Sequence, residues 1–330
     1  MERVACIDIG TVTVRLAVAD VEDSHVVRMM KRSTICNLGE GLSATGMIGE
    51  EARGRVVGCV DAYLQMARGA DAHRICCTLT SAARDASNSQ LLLDDLTKRG
   101  IHPQIIAGEV EGSLTFLGVA QDFVGRRILV ADNGGGSTEL AVGSLDGGHG
   151  LRIDGVHSTD VGCRRITERF LSKSEIPSQA DLAAARDFAR ELFQPVIQRE
   201  GILREESRPE RLVVTGGTAT SLVAMHKELE PYDSSQVHLA SLSRAQVEDL
   251  TAKLASLTVA ERAELPGLQA KRAPVILAGA LAIAELMAQT HFDELTVSES
   301  DLLFGLSICA GRTVRGEGLP FDWKVQLSDI

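Results

Sequence analysis

In the stretch ADNGGGSTEL, residues 131–140, an aspartate precedes three consecutive glycines, a serine and a threonine. Without a Cβ, Gly134, Gly135 and Gly136 can adopt positive φ and bring backbone N–H groups against a bulky anion, while Ser137 and Thr138 add hydroxyl donors. That combination suits phosphate. Asp132, at the end of the preceding apolar run, could orient a hydrated Mg2+ or an attacking water, since a hard cation prefers carboxylate oxygens and keeps several waters. Taken alone, the stretch also reads as a plain glycine-rich hairpin. The same plan recurs 124 residues earlier, with Asp8 on Asp132, Gly10 on Gly134, Thr13 on Ser137, and Leu16-Ala17-Val18 on Leu140-Ala141-Val142. Aspartate, glycine and hydroxyl coincide in the polar part of the unit, where hydrophobic patterning has no say, so the chain reads as a duplication.

Two further segments carry candidate chemistry. TSAARDASN places Arg84 and Asn88 just beyond an apolar run, with Ser81 and Asp85 nearby, and the planar fork of arginine matches phosphate oxygens. The same segment also fits a helix N-terminus with a surface ion pair. GEVEGS places Glu109 and Glu111 at a helix entry, where a carboxylate serves either as general base toward water or as a favourable partner of the helix dipole. The sequence has no G-x-x-x-x-G-K-[ST] loop, no G-x-G-x-x-G opening a helix, and no H-E-x-x-H or close His/Cys group for zinc.

The elements that must position these residues follow from periodicity. RVACIDIG, VRLAVAD and VVRMM read as three strands joined by the bends TVT and VEDSH, an antiparallel meander. Residues 43–70 have helical spacing, RICCTL is a strand, SQLLLDDLTKRG a helix, and PQIIAGEVEGSLTFLGVAQDF a short strand running into a helix. The second half reopens with the strand ILVADNGGG. Helices are predicted over roughly 178–200, 244–256, 259–263 and the alanine-rich 273–290, which is apolar almost all round and therefore buried. RLVVTGGTATSLVAM is a strand, a Gly-Gly turn and a helix start, and ELTVSESDLLFGLSICAGRT is a strand followed by a helix with Ser298 and Asp301 at capping spacing. Strands alternating with helices indicate an α/β fold, and 330 residues with 44% apolar composition indicate two domains.

The totals exclude several classes. A formal net charge of −11 with only 3% aromatic residues argues against a nucleic-acid surface, which needs a basic stripe and stacking side chains. No apolar run reaches the roughly 18 residues of a bilayer span, and the N-terminus lacks secretory features, so a cytoplasmic protein without a membrane partner is expected. Seven scattered cysteines suit buried thiols in a reducing compartment.

Taken together, IDIGTVTVRLAV, TSAARDASN, IAGEVEGSLTFLGV, ADNGGGSTELAVG, VGCRRITERF, VVTGGTATSLVAM, LPGLQAKRAPVILAGALAIAELM and VSESDLLFGL resemble, in order, the exopolyphosphatase and guanosine pentaphosphate phosphohydrolase (Ppx/GppA) family. The resemblance implies two actin-like lobes of the ribonuclease H-like, sugar-kinase and chaperone-ATPase superfamily flanking a cleft. Residues 1–124 would form one lobe and 125–300 the other, with about 301–330 packing back on the first. It implies Mg2+-assisted release of a terminal phosphate from polyphosphate or from guanosine pentaphosphate, and a homodimer. Position by position, Asp132 with Gly134, Gly135, Gly136, Ser137 and Thr138 would form one phosphate loop and Asp8, Gly10, Thr11 and Thr13 the opposing one, with Asp8 and Asp132 toward the metal. Arg84 would hold the transferring phosphate and Glu111 would activate water. Two positions depart from the family pattern: Thr11-Val12-Thr13 replaces Ser-Asn-Ser, and Glu109-Val110-Glu111 replaces an adjacent glutamate pair, leaving Glu109 and Glu111 as alternative bases. These departures motivate a second reading, a regulatory protein that binds polyphosphate or a nucleotide. A phosphotransferase of the same superfamily is a third.

Overall fold

The computed structural model describes residues 1–148 and 150–330. The chain divides into two compact units, Met1–Asp122 with Leu302–Ile330, and Phe123–Asp301. In the first, β1 (Glu2–Ile9), β2 (Thr13–Glu22) and β3 (His25–Ile35) form the expected antiparallel meander. β4 (Arg74–Leu79) then joins β1 in parallel, and β5 (Pro103–Ile105) joins β4 in parallel. The terminal strand Ser328–Asp329 pairs antiparallel with the start of β4, on the same edge as β5 and opposite β1. β1 is buried from Val4 to Cys6 and onward to Asp8 and Ile9, as a strand with neighbours on both edges should be.

The second unit repeats this order. β6 (Arg127–Asn133), β7 (Thr138–Leu145) and β8 (Leu151–Thr159) are an antiparallel meander, β9 (Arg211–Thr215) lies parallel beside β6, and β10 (Ser241–Ser243) and β11 (Glu294–Val297) complete the sheet in the order β10-β11-β9-β6-β7-β8. Even the turn bond is conserved between copies: Gly10 N donates to Thr13 O at 2.9 Å, and Gly134 N to Ser137 O at 3.0 Å. Both units are mixed α/β, as the resemblance to actin-like lobes implies.

Helix positions follow composition closely in the second unit. Helices span Gln179–Arg199, Arg244–Ala255, Val259–Ala263 and Ala273–Thr290, and the first three open on capping boxes from Ser178, Ser243 and Thr258. The Ala273–Thr290 helix buries 15 of its 18 residues. By length and apolarity, Ala270–Thr290 meets the requirement for a membrane span that no run was expected to meet, but 83% of that window is buried within the protein.

Two sequence expectations are corrected, and one strand was not foreseen. Residues 43–70 do not form one helix: Leu42–Thr45 stops at Gly46, whose φ of 66° is left-handed, and a second helix, Glu50–Gly69, starts after Gly49. Ser298 is not a helix cap. Its backbone N–H continues the β11 pairing by donating to Val214 O, its hydroxyl turns the chain at Ser300, and the helix starts only at Leu302. β8 carried no sequence signal, because an edge strand of mixed burial lacks a clean two-residue alternation.

The Leu302–Val314 helix belongs to the first unit, packing on β1 and on the helix Gly108–Ala120. The approach is close: a Cβ on Gly305 would lie 1.9 Å from Leu114 O.

Candidate active site

The second-unit turn is built to present amides. The carbonyl of Gly134 accepts from Cys163 N at 3.0 Å, that of Gly135 from Arg164 N at 2.8 Å and Arg165 N at 3.3 Å, and that of Gly136 from Arg165 Nε at 2.9 Å. These donors come from the start of the short helix Cys163–Ile166, just past β8. Among the described residues, no backbone acceptor takes the N–H groups of Gly135 and Gly136. Tying down every carbonyl while sparing the amides leaves a local positive field suited to an anion. Gly162 makes this possible, because a Cβ there would lie 2.2 Å from the Gly136 carbonyl carbon. The hydroxyl of Thr138 bonds inward to Val161 O and accepts from Asn133 Nδ2, so it braces the turn, while Ser137 is also buried.

The first-unit turn uses the same device. Gly39 N donates to Thr11 O, and Cys36 N and Asn37 N both donate to Val12 O, at 2.9 to 3.0 Å. Thr11 Oγ1 is buried with no hydrogen-bond partner, and Val12 is itself buried. A buried hydroxyl without a partner is costly in the protein alone and marks a place where a ligand oxygen would be welcome.

Charge separates the two turns. Asp8 and Arg15 are direct partners in the β1–β2 register, and Arg15 grips Asp8 Oδ2 through Nε at 3.0 Å and Nη2 at 2.7 Å. At the equivalent places of the second unit, Asp132 faces Glu139. Both are buried, and Glu139 Oε1 accepts from Ser158 Oγ at 2.7 Å. Like charges directly opposite on an antiparallel pair repel, and burial strengthens the repulsion unless a cation or proton accompanies them. An oxygen-only donor pair of this kind fits a hard divalent cation. At Asp8 the expected metal role meets an arginine already on the carboxylate. Among the described residues no group of three or more His, Cys, Asp or Glu side chains gathers, so a bound ion would keep several waters, as Mg2+ does.

Arg84 and Glu111, 27 residues apart, are brought together. Arg84 follows β4 on the short helix Ser81–Asp85, and Glu111 sits in the first turn of Gly108–Ala120, which follows β5. Because β4 and β5 are paired, the two segments start side by side. Arg84 Nη1 donates to Glu111 Oε2 at 2.7 Å and to Ile106 O at 3.0 Å. Glu111 is buried, whereas Glu109 is exposed and Val110 half-buried. Asn88 is structural: its side-chain amide bonds both the N–H and the C=O of Ile48.

Sequence reasoning missed Glu139, Arg165 and Arg272. The first was legible in principle, since it stands seven residues after Asp132 as Arg15 stands after Asp8. Arg272 had no local signal. Its guanidinium lies where a Cβ on Gly217 would be, 2.0 Å from Nη1, and the adjacent Gly216, with φ 101°, passes so close to Asp132 that a Cβ would sit 3.2 Å from Oδ1. The Gly-Gly turn after β9 thus admits both a carboxylate and a guanidinium.

Comparison with known proteins is consistent across sequence and structure. The family model described as the Ppx/GppA phosphatase family matches residues 17–306. Exopolyphosphatase 2 of Mycobacterium tuberculosis is 32% identical over 326 residues, covering 93% of this chain and 98% of the relative. A crystal structure of the Aquifex aeolicus Ppx/GppA family member superposes with a TM-score of 0.76 at 26% identity, over 96% of this chain and 99% of that one. A crystal structure described as an exopolyphosphatase-like protein gives a TM-score of 0.86 at 25% identity, over 95% and 99%.

Proposed function

This chain belongs to the Ppx/GppA phosphatase family, hydrolases of phosphoric anhydride bonds, and on that premise we propose that it is an exopolyphosphatase that releases the terminal phosphate of inorganic polyphosphate. The observation that carries the reading is the second-unit turn, whose carbonyls are all tied and whose Gly135 and Gly136 amides are left for an anion. Ser137 completes this loop, Thr138 braces it, and Thr11 and Thr13 of the first unit hold further phosphate oxygens, on a turn that Gly10 closes by donating to Thr13 O. Arg84 neutralises charge on the transferring phosphoryl group. Glu111, oriented by Arg84, takes the proton of the attacking water; the new P–O bond forms as the bridging P–O bond breaks, and the shortened polyphosphate leaves. Mg2+, held by Asp132 and Glu139, would neutralise developing charge on the phosphoryl oxygens. Since the protein is itself strongly acidic, a divalent bridge to a polyanion is physically apt. Seven free cysteines suit a cytoplasmic setting, and a homodimer is the commonest assembly for such a chain.

Phosphate release from long-chain polyphosphate, guanosine pentaphosphate and ATP, each with and without Mg2+, tests the reading. The expected order places polyphosphate first, with little release in chelator. Release no greater than that of an Arg84→Ala, Glu111→Ala double variant, despite tight polyphosphate binding, would leave a binding protein instead. A gain on adding phosphate acceptors to ATP would indicate a phosphotransferase.

A further inference from the structure

The last strand of the first-unit meander carries charge that the chemistry above does not use. β3 is the terminal strand of its sheet, so among the described residues one of its edges has no strand neighbour. From Ser24 to Gly39 the chain contains no Asp or Glu, although acidic residues number 45 in 330, and it contains Arg28, Lys31 and Arg32. Arg28, Arg32, Ser33 and Thr34 are exposed, and strand alternation puts Arg28, Arg32 and Thr34 on one face. Met30, between the two arginines on that face, packs against the core, and Thr34 Oγ1 lies 2.8 Å from Tyr63 OH. Lys31 is on the other face, its ammonium 5.5 Å from the centre of the Phe304 ring. The nearby carboxylates are engaged elsewhere. Asp20, paired with Arg28 in the β2–β3 register, is gripped by Arg3 through both oxygens at 2.6 and 2.9 Å, and Glu40, just past the stretch, is held by Arg55 at 2.7 Å. Arg32 Nη1 donates to the carbonyl of Lys31 at 2.9 Å. β3 ends at the phosphate turn: Ile35 pairs with Thr13, and the N–H groups of Cys36 and Asn37 hold Val12 O. Thr34, Ser33, Arg32 and Arg28 therefore stand at increasing distance from that turn, Arg28 about 23 Å along the strand from Ile35.

We propose that the β3 edge is a track for the distal part of a polyphosphate chain whose reacting end is held at the phosphate turns, with Arg32 and Arg28 as its cations. This rests on the exopolyphosphatase reading and deepens it, because it makes chain length a determinant of binding. The guanidinium fork matches phosphate oxygens, and exposed hydroxyls at Ser33 and Thr34 bridge the interval between the turn and Arg32. Cations on an edge strand also guard against edge-to-edge association. The second unit shows what such a guard looks like without a polyanion to hold. Its edge strand β8, the counterpart of β3 in the repeat, pairs its charges on the spot: Arg152 Nε meets Asp154 Oδ1 at 2.6 Å, and Arg127 meets the other Asp154 oxygen. β3 instead leaves two guanidinium groups without a carboxylate within ion-pair distance, in a protein of net charge −11. A chain long enough to reach Arg28 gains contacts that a short one lacks. Those contacts are the same before and during phosphoryl transfer, so they lower KM and leave kcat alone.

The test compares the full-length protein with an Arg28→Glu, Arg32→Glu variant, which keeps the edge charged and so keeps its guard. Steady-state KM and kcat are measured for long-chain polyphosphate and for tripolyphosphate. Binding of end-labelled long-chain polyphosphate is measured by fluorescence anisotropy in the Glu111→Gln background, where turnover is slow. In the variant, KM for the long chain should rise at least about threefold, as loss of two exposed ion pairs implies, with kcat and the tripolyphosphate KM unchanged. Long-chain binding should weaken by the same factor, and its dependence on log salt should flatten by about one unit. Arg28→Lys, Arg32→Lys should retain most of the affinity, and Arg68→Glu, exposed at the far end of the helix Glu50–Gly69, should change nothing. Equal losses for tripolyphosphate and the long chain, or an equal loss from Arg68→Glu, overturn the track. Long-chain binding through Arg28 and Arg32 without phosphate release upholds the track and sinks the exopolyphosphatase reading; release with long-chain binding unchanged in the variant does the reverse.

Discussion

Glu109 and Glu111 stand two residues apart at the start of one helix, yet one faces solvent and the other is buried against Arg84. Helical geometry separates neighbours at this spacing by more than half a turn, so burial of one dictates exposure of the other. A guanidinium beside a carboxylate favours its charged form, the form a base must have. Glu111→Gln should therefore lower polyphosphate hydrolysis by about 10²–10⁴, while Glu109→Gln should stay within about threefold, measured as steady-state phosphate release. On the proposed Mg2+ role of Asp132 and Glu139, Glu139→Gln should raise the Mg2+ concentration needed for half-maximal rate, because one of the two carboxylates offered to the ion loses its charge. Cys59 carries a pH signature of its own. Its folded value is depressed from 9.0 to about 6, so its thiolate contributes stability that is complete above the unfolded value and lost as pH falls through the folded one. Alkylation of Cys59 by iodoacetamide should accordingly rise through a midpoint near pH 6, with the buried cysteines staying unmodified.

At the scale of elements, both turns depend on close backbone approach. Gly162 backs onto the Gly135–Gly136 peptide, so Gly162→Ala must push that peptide toward the position assigned to phosphate. Misplacement by about 1 Å can cost roughly 10²-fold in rate; we expect such a loss in kcat/KM for polyphosphate with the fold intact by circular dichroism. Gly305→Ala tests a different contact. It forces apart two helices of the first unit, one of which carries Glu111, and overpacking of this kind costs about 1–3 kcal/mol, visible as a lower Tm. The helices at 259–263 and 273–290 were legible from the sequence to the residue, because composition and capping residues are local signals. Glu50–Gly69 was legible only in part, since helical spacing ran through the glycines that end the preceding turn. The cap assigned to Ser298 failed because pairing of its backbone with β9 outweighed a local motif.

At the scale of the whole molecule, the two units differ in continuity. Phe123–Asp301 is one uninterrupted stretch, whereas the first unit recruits Leu302–Ile330 from the far end of the chain. Within that segment Leu302, Leu303, Leu306, Ile308, Cys309 and Ala310 are buried, and Ser307 Oγ bonds Cys6 Sγ at 3.5 Å. Each large apolar side chain so buried contributes about 1.5–3 kcal/mol, and their sum rivals the roughly 5–15 kcal/mol by which a domain is stable. Residues 1–122 expressed alone should therefore lack a cooperative thermal transition, while residues 123–301 alone should melt cooperatively; circular dichroism melts decide both. By itself the sequence determined the duplicated strand-turn-strand unit, the glycine turn suited to phosphate and the α/β class, since turn chemistry and hydrophobic period act within a few residues. Only the tertiary structure decided that Arg84 meets Glu111, that Asp8 is matched by an arginine but Asp132 by a glutamate, and that Arg272 reaches Gly217. The physical reason is that such pairs are set by strand register and by the packing of distant segments, whose closure no local propensity encodes.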